Sequence, residues 1–151
     1  MTHEVTKVDL PARPTAVLAA TTTWAEFPQV WGRLLGQVHA NVTWSMSTGH
    51  KGRNVMLYLD GTPRVEVGVE LDQAAEVGDG LLRSQLPAGP AATTVHRGSY
   101  DGLGEAHAAV KAWCDEQGLE RTGVRWEVYG HWYDEPAKVE TEIFYQLTNR
   151  P

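Results

Sequence analysis

Twice along the chain the hydrophobic positions change from alternation to a three- or four-residue spacing and back. The clearer case runs from Thr93 to Leu147. Residues 92–97 form a β-branched run that stops at Gly98, and Ser99, Tyr100, Asp101 and Gly102 then supply turn and helix-start chemistry. Short polar side chains at such a point accept hydrogen bonds from the first free N–H groups of a helix. Leu103, Ala106, Val110 and Trp113 follow at helical spacing, and Gly118 stands where a left-handed residue ends a helix. Residues 124–130 and 139–147 return to strand character, joined through the turn-rich Asp134, Glu135 and Pro136. The segment predicts strand, helix, strand, strand.

The first half reads as a weaker version of the same order. Residues 5–10 are β-like, Pro11 and Pro14 interrupt them, and residues 15–23 resume extended character, as a strand pair or as one bent strand. Thr23 and Glu26 have capping-box spacing, while Pro28 opposes so early a helix start. Val30, Trp31, Leu34, Leu35 and Val38 then make an apolar stripe that predicts a helix from about Pro28 to about Ala40. A polar loop at 45–52 leads to strands at 54–59 and 64–71, with Asp60-Gly61 as a hairpin signal between them. Laying Thr23-Trp24 on Ser99-Tyr100 puts Phe27 on Leu103, Val30 on Ala106 and Leu34 on Val110, an offset of 76 residues. The expectation is an α+β fold of two β-α-β-β repeats, at about 5–72 and 90–148. Each would lay one helix on an antiparallel sheet, about a pseudo-twofold axis that leaves a ligand cleft between the repeats.

Composition narrows the function. A chain of 151 residues is about one domain with enough length to bury a core. Its net charge of −6 and absence of a Lys/Arg cluster argue against a nucleic-acid surface and favour an electropositive partner. The single cysteine, Cys114, excludes an internal disulfide; beside Trp113 it reads as a small packed residue rather than a nucleophile. With His3, Glu4, Lys7 and Asp9 among the first ten residues and no long apolar run, neither a signal peptide nor a membrane span is expected. The expectation is a cytoplasmic protein with no cofactor and no metal site, since no His, Cys or carboxylate spacing suggests zinc.

Gly98-Ser99-Tyr100 ahead of the second helix, Trp126-Glu127-Val128-Tyr129 in a strand and Thr141-Glu142-Ile143 in the last strand resemble the GyrI-like small-molecule-binding domain. That fold forms the effector-binding part of multidrug-sensing transcription regulators, and the resemblance covers nearly the whole chain. It implies a cleft lined by aromatic and acidic groups that takes bulky aromatic, often cationic, compounds, with Glu127 and Tyr129 as the family's glutamate-x-tyrosine pair. The regulators carry a separate helix-turn-helix domain for which 151 residues leave no room. The resemblance is therefore to stand-alone members: drug binders, antagonists of gyrase-directed toxins, or hydrolases of cyclopropane-containing DNA alkylators.

Strand alternation adds candidates of its own. Arg125, Glu127, Tyr129 and His131 share one face, and Val124, Trp126 and Val128 share the other, which suits the helix. In the last strand Val139, Thr141, Ile143, Tyr145 and Leu147 form the expected core set, sending Glu140, Glu142, Phe144 and Gln146 to the cleft. Glu127 and Glu142 beside Tyr129 and Phe144 would attract a delocalised cation; the alternative is that both are solvated strand glutamates. Six tryptophans and five tyrosines supply further ring faces, though Trp31 and Trp113 sit on helix stripes and read as core. Trp24 and Tyr100 stand at the mouth of the cleft or act as helix staples, and Met56 and Tyr58 share a face that would oppose Tyr129. Trp44 with Met46, and Trp132 with Tyr133, lie in loops that either close over a ligand or pack on the surface.

Sharper motifs fail on their chemistry. Gly102-x-Gly104 opens a helix after a strand but has His107 where a dinucleotide fingerprint needs its third glycine, so it is a turn. His96, Ser99 and Asp101 match no nucleophile arrangement, while His96 alone, beside Thr94, either contacts a ligand or is a satisfied structural histidine. Three functions remain, in this order: a binder of small aromatic or cationic ligands, a cyclopropanoid hydrolase with Glu127 or Glu142 as general base and Tyr100 or Tyr129 orienting water or the leaving group, and a protein antagonist of a toxin.

Overall fold

The computed structural model describes residues 3–23, 25–43, 53–59, 64–71, 76–78, 80–98, 100–130, 135 and 138–148. The architecture is α+β with antiparallel sheets, and the chain divides into two compact units. The N-terminal unit is Ala12–Leu86; the C-terminal unit joins Met1–Pro11 to Pro87–Pro151.

The N-terminal unit contains β2 (Arg13–Thr21), α1 (Phe27–Ala40), β3 (Val42–Thr43), β4 (Asn54–Tyr58), β5 (Arg64–Glu70), β6 (Glu76–Val77) and β7 (Leu82–Leu86). Its main sheet runs β4-β5-β2-β7, and β3 pairs separately with β6. Strand β2 is rich in Ala, β5 alternates Val65, Val67 and Val69 with other residues, and β4 adds Val55, Met56 and Leu57; Val38 of α1 packs with Ala16, Val42 and Val69. Helix α1 begins at Phe27, so Pro28 falls in the first turn, where its missing N–H costs no helix bond. Half of the expected capping box forms: Thr23 Oγ1 accepts the Glu26 N–H at 3.2 Å.

In the C-terminal unit β1 (Thr6–Leu10), β8 (Gly89–Arg97), β9 (Arg121–Tyr129) and β10 (Glu140–Leu147) form a sheet in the order β1-β8-β10-β9. Strands β1 and β2 are therefore neither a pair nor one bent strand: β1 pairs with β8, while β2 pairs with β5 and β7. Helix α2 (Leu103–Gln117) lays Ala106, Val110 and Cys114 against Ala92, Ile143, Tyr145 and Leu147. Gly118 ends it with φ 67°, the left-handed conformation expected there. The helix start differs from expectation. A 3-10 turn at Tyr100–Gly102 precedes it, and the residue at the cap is Gly102, with no side-chain cap bond. Close packing explains the glycine: a Cβ on Gly102 would lie 2.6 Å from Cε1 of the buried His96 ring.

The predicted core set of the last strand holds. Val139, Thr141, Ile143, Tyr145 and Leu147 are all buried. The predicted facing of β9 does not. Directly opposed residues of antiparallel strands point the same way, and the register pairs Tyr129 with Thr141, Glu127 with Ile143 and Arg125 with Tyr145. Glu127 and Tyr129 thus lie on the side covered by α2, and Val124, Trp126 and Val128 on the opposite side. Sequence pattern misleads because both faces are buried here: Trp126 and Val128 have no more exposure than Ile143 would require of a core position, and Trp126 stacks on Phe144 at 5.3 Å. Among the described residues no helix is long and apolar enough to cross a membrane.

Candidate functional site

Three elements of the C-terminal unit bring a polar cluster together under α2. Strand β9 supplies Glu127, a carboxylate with 4% exposure. Its Oε1 accepts the Tyr129 hydroxyl at 2.7 Å, and its Oε2 lies 2.8 Å from His107 Nε2 on α2. The other nitrogen of that ring, Nδ1, is 2.6 Å from the Tyr145 hydroxyl on β10. A consistent proton order follows. The carboxylate can only accept, so His107 Nε2–H donates to it; Nδ1 is then the acceptor and the Tyr145 O–H the donor. Burial, opposed by the Arg125 charge and reinforced by the Glu127 charge, pushes the Tyr145 phenol up to about 12, which keeps it a donor.

Tyr100, on the 3-10 turn, completes the cluster from the solvent side. It is 40% exposed, and its ring meets the edge of Tyr129 at 5.8 Å. Its phenol is raised by burial and then by the charge of Glu127. Next along the sheet, Thr141 of β10 sits between His96 of β8 and Tyr129 of β9 in one cross-strand row. Thr141 has 0% exposure, and its Oγ1 is the buried side-chain polar atom without a hydrogen-bond partner among the described residues. His96 is engaged by the N-terminal segment: its Nδ1 is 3.2 Å from His3 Nε2, and the two rings stack at 5.5 Å.

The structure therefore gathers Glu127, Tyr129 and Tyr100, and it separates them from Glu142 and Phe144. Those two pair with Val128 and Trp126 on the opposite side of the sheet, so the expected convergence of Glu127 with Glu142 does not occur. Side chains alternate along both strands, and an offset of one residue in the pairing assigns the opposite face. His96 shares the α2 side with Thr94, and its ring stacks on His3 and lies against Gly102. Met56 and Tyr58 are buried within the N-terminal unit, Met56 fully, with Tyr58 against Phe27 at 5.7 Å. Trp24, Trp44, Met46, His131, Trp132 and Tyr133 lie outside the described residues.

Two members of the cluster were not among the sequence candidates. Tyr145 reads as core, which it also is, because nothing in a strand pattern distinguishes a buried tyrosine with a partner from one without. His107 had a signal: it lies four residues after Leu103 and three before Val110, inside the apolar stripe of α2 rather than beside it. Among the described residues no three His, Cys, Asp or Glu side chains are gathered to hold a metal ion. The chemistry on offer is that of an oriented, largely buried carboxylate with ring faces at its exposed end. Such a group can anchor a cation or accept a proton.

Comparison with known proteins gives the fold a family. No curated protein sequence matches. The C-terminal domain of EcmrR is similar in structure, with a TM-score of 0.74 and 20% identity over 98% of this chain and 99% of that domain. SAV2435 bound to tetraphenylphosphonium is similar with a TM-score of 0.66 and 11% identity, covering 99% and 95%. A hydrolase encoded by lin2189 from Listeria innocua is similar with a TM-score of 0.63 and 9% identity, covering 97% and 93%. The GyrI-like small molecule binding domain matches residues 3–148, and the chain belongs to that family.

Proposed function

We propose that the protein binds bulky aromatic cations, with Glu127 as the counter-charge and the rings of Tyr100 and Tyr129 as the faces on which the ligand lies. The observation that carries this reading is the way Glu127 is held. A tyrosine hydroxyl orients one oxygen at 2.7 Å without bringing a formal charge, in a position with 4% exposure. A carboxylate oriented in this manner beside the ring faces of Tyr100 and Tyr129 is placed to meet a cation, and a charge there is less screened than one in water. The similarity to SAV2435, whose structure holds tetraphenylphosphonium, supports the ligand class.

A second reading draws on the bond between His107 and Glu127. In a hydrolase of strained cyclopropane compounds, Glu127 would take the proton of the attacking water while His107 holds its other oxygen. The similarity to a Listeria hydrolase supports keeping this reading beside the first.

One variant separates them. Glu127→Gln should weaken tetraphenylphosphonium binding about ten- to a hundredfold in a fluorescence titration while leaving neutral triphenylphosphine oxide nearly unchanged. A hydrolase should instead keep its affinity for a neutral cyclopropane substrate and lose about a hundredfold or more in turnover. Unchanged cation affinity and unchanged turnover together would remove Glu127 from both roles.

A further inference from the structure

Thr141 presents a problem that the reading above does not solve. Its side chain has 0% exposure and its Oγ1 has no hydrogen-bond partner among the described residues, a condition that costs stability when a hydroxyl is buried. Packing does not demand threonine there. In the N-terminal unit, the cross-strand row that lies equally far ahead of its helix is Ala20, Val65 and Tyr58, and Val65, the isostere of threonine, fills the middle place with 1% exposure. In the C-terminal unit that row is His96, Thr141 and Tyr129. The hydroxyl is thus an addition to a position that accepts valine.

Its location says what it can serve. Thr141 is directly opposite Tyr129, and residues so opposed have Cβ atoms roughly 4.5 to 5.5 Å apart, with the diagonal neighbour, here Glu127, about 7 to 8 Å away. The donors around Glu127 are committed: Tyr129 O–H and His107 Nε2–H to the carboxylate, and Tyr145 O–H to His107 Nδ1. The Thr141 O–H is the donor left over beside them. Resting on the proposal that a cation binds at Glu127, we infer that Thr141 is a specificity-determining residue: its hydroxyl donates to a hydrogen-bond acceptor, a carbonyl or ether oxygen, carried by the ligand beside its cationic centre. The preferred ligands are then aromatic cations bearing an oxygen acceptor, not purely hydrocarbon ones. Discrimination of this kind is strong because an analogue lacking the acceptor leaves the buried hydroxyl unpaired.

The test uses matched phosphonium cations, (4-acetylbenzyl)- and (3-acetylbenzyl)triphenylphosphonium against their ethyl counterparts, titrated into the whole chain and into Thr141→Val. The wild-type protein should bind at least one acetyl compound about five- to tenfold tighter than its ethyl partner. Thr141→Val should abolish that ratio by weakening the acetyl compound alone, and should raise the Tm of the ligand-free protein by relieving the unpaired hydroxyl. Equal affinities within each pair in the wild-type protein, or a ratio that survives Thr141→Val, would overturn the inference while cation binding stands. A fall in Tm with the ratio untouched would overturn it too, assigning the hydroxyl to the fold. Failure of all four cations to bind would instead strike the proposed function itself.

Discussion

The two units share one strand order and differ in what they place under the helix. Counted from the first residue of α1 or α2, the rows Ala20–Val65–Tyr58, Leu18–Val67–Met56 and Ala16–Val69–Asn54 correspond to His96–Thr141–Tyr129, Thr94–Ile143–Glu127 and Ala92–Tyr145–Arg125. Met56 thus stands where the other unit has Glu127, Val65 where it has Thr141, and Val69 where it has Tyr145. On the helices, Trp31 stands where the other has His107, each four residues into its helix. One face is apolar apart from Tyr58 and Asn54, and the other carries a carboxylate, two imidazoles and phenols. The N-terminal unit shows that this strand order packs with a methionine and a tryptophan where the other unit has the carboxylate and the imidazole, so packing alone does not call for them.

The N-terminal unit does have a largely buried carboxylate, and it is handled differently. Glu70, with 14% side-chain exposure, receives Arg53 at 2.7 Å and Arg13 at 2.9 Å. Two guanidiniums compensate its charge, as a structural ion pair requires. Glu127 is met by a phenol at 2.7 Å and an imidazole at 2.8 Å.

The sharpest way to break this comparison is to put the carboxylate where no partners have been built for it. Met56→Glu buries an acid at a position with 0% exposure, and the loss expected in chemical denaturation is about 3 to 5 kcal/mol, enough to unfold the unit in many proteins of this size. A loss under about 1 kcal/mol would mean that the N-terminal unit accommodates the charge as readily as its counterpart. The contrast between the faces would then carry no functional meaning.

How far the sequence reveals this difference depends on which signal each residue gives. The helices and most strands are legible because their apolar positions have a period, as Val65, Val67 and Val69 do. Strand β7, LRSQL, has no such alternation: as an edge strand it buries little but Leu86, and it went unrecognised. The separation of β1 from β2 is likewise hidden, since Pro11 marks a break but not which distant strand each segment joins. Glu127 and Tyr129 are legible as sharing a face; which face is not, because Trp126 and Phe144 make the other side equally apolar. Thr141 looks like any β-branched core residue, and only coordinates show that its hydroxyl lacks a partner. His107 is legible from its place in the stripe of α2, four residues after Leu103 and three before Val110.

A smaller effect tests the structural half of the comparison. Burial would raise the Glu70 carboxyl, but hydrogen bonds and charge from Arg53, and then from Arg13, outweigh it and hold the group below its ordinary value of 4.5. A carboxyl lowered in the folded state contributes stability that is complete above its unfolded value and is lost as the pH falls through the lowered one. Glu70→Gln should therefore cost about 1 kcal/mol at pH 7 and progressively less as the pH falls below 4.5, flattening the acid limb of a plot of urea midpoint against pH. An acid limb of unchanged depth would show that the pair adds nothing to folding.

An effect no larger is expected at the far end of the Glu127 cluster, where Tyr145 supplies the proton that fixes the His107 ring. Tyr145→Phe removes the donor 2.6 Å from Nδ1, keeps the ring and its packing, and should cost about 1 kcal/mol at pH 7. The more telling readout is alkaline. With the phenol raised from 10 to about 12 in the folded protein, its contribution to stability is complete below pH 10 and is lost as the pH climbs toward 12. Tyrosinate absorbance should accordingly show a step near pH 12, and Tyr145→Phe should remove that step while the other tyrosines still titrate. If the late step survives the substitution, or if none exists, Tyr145 is not held as a donor. His107 then loses the constraint that turns its Nε2–H toward Glu127, and the C-terminal face would differ from the N-terminal one in composition without being organised around its carboxylate.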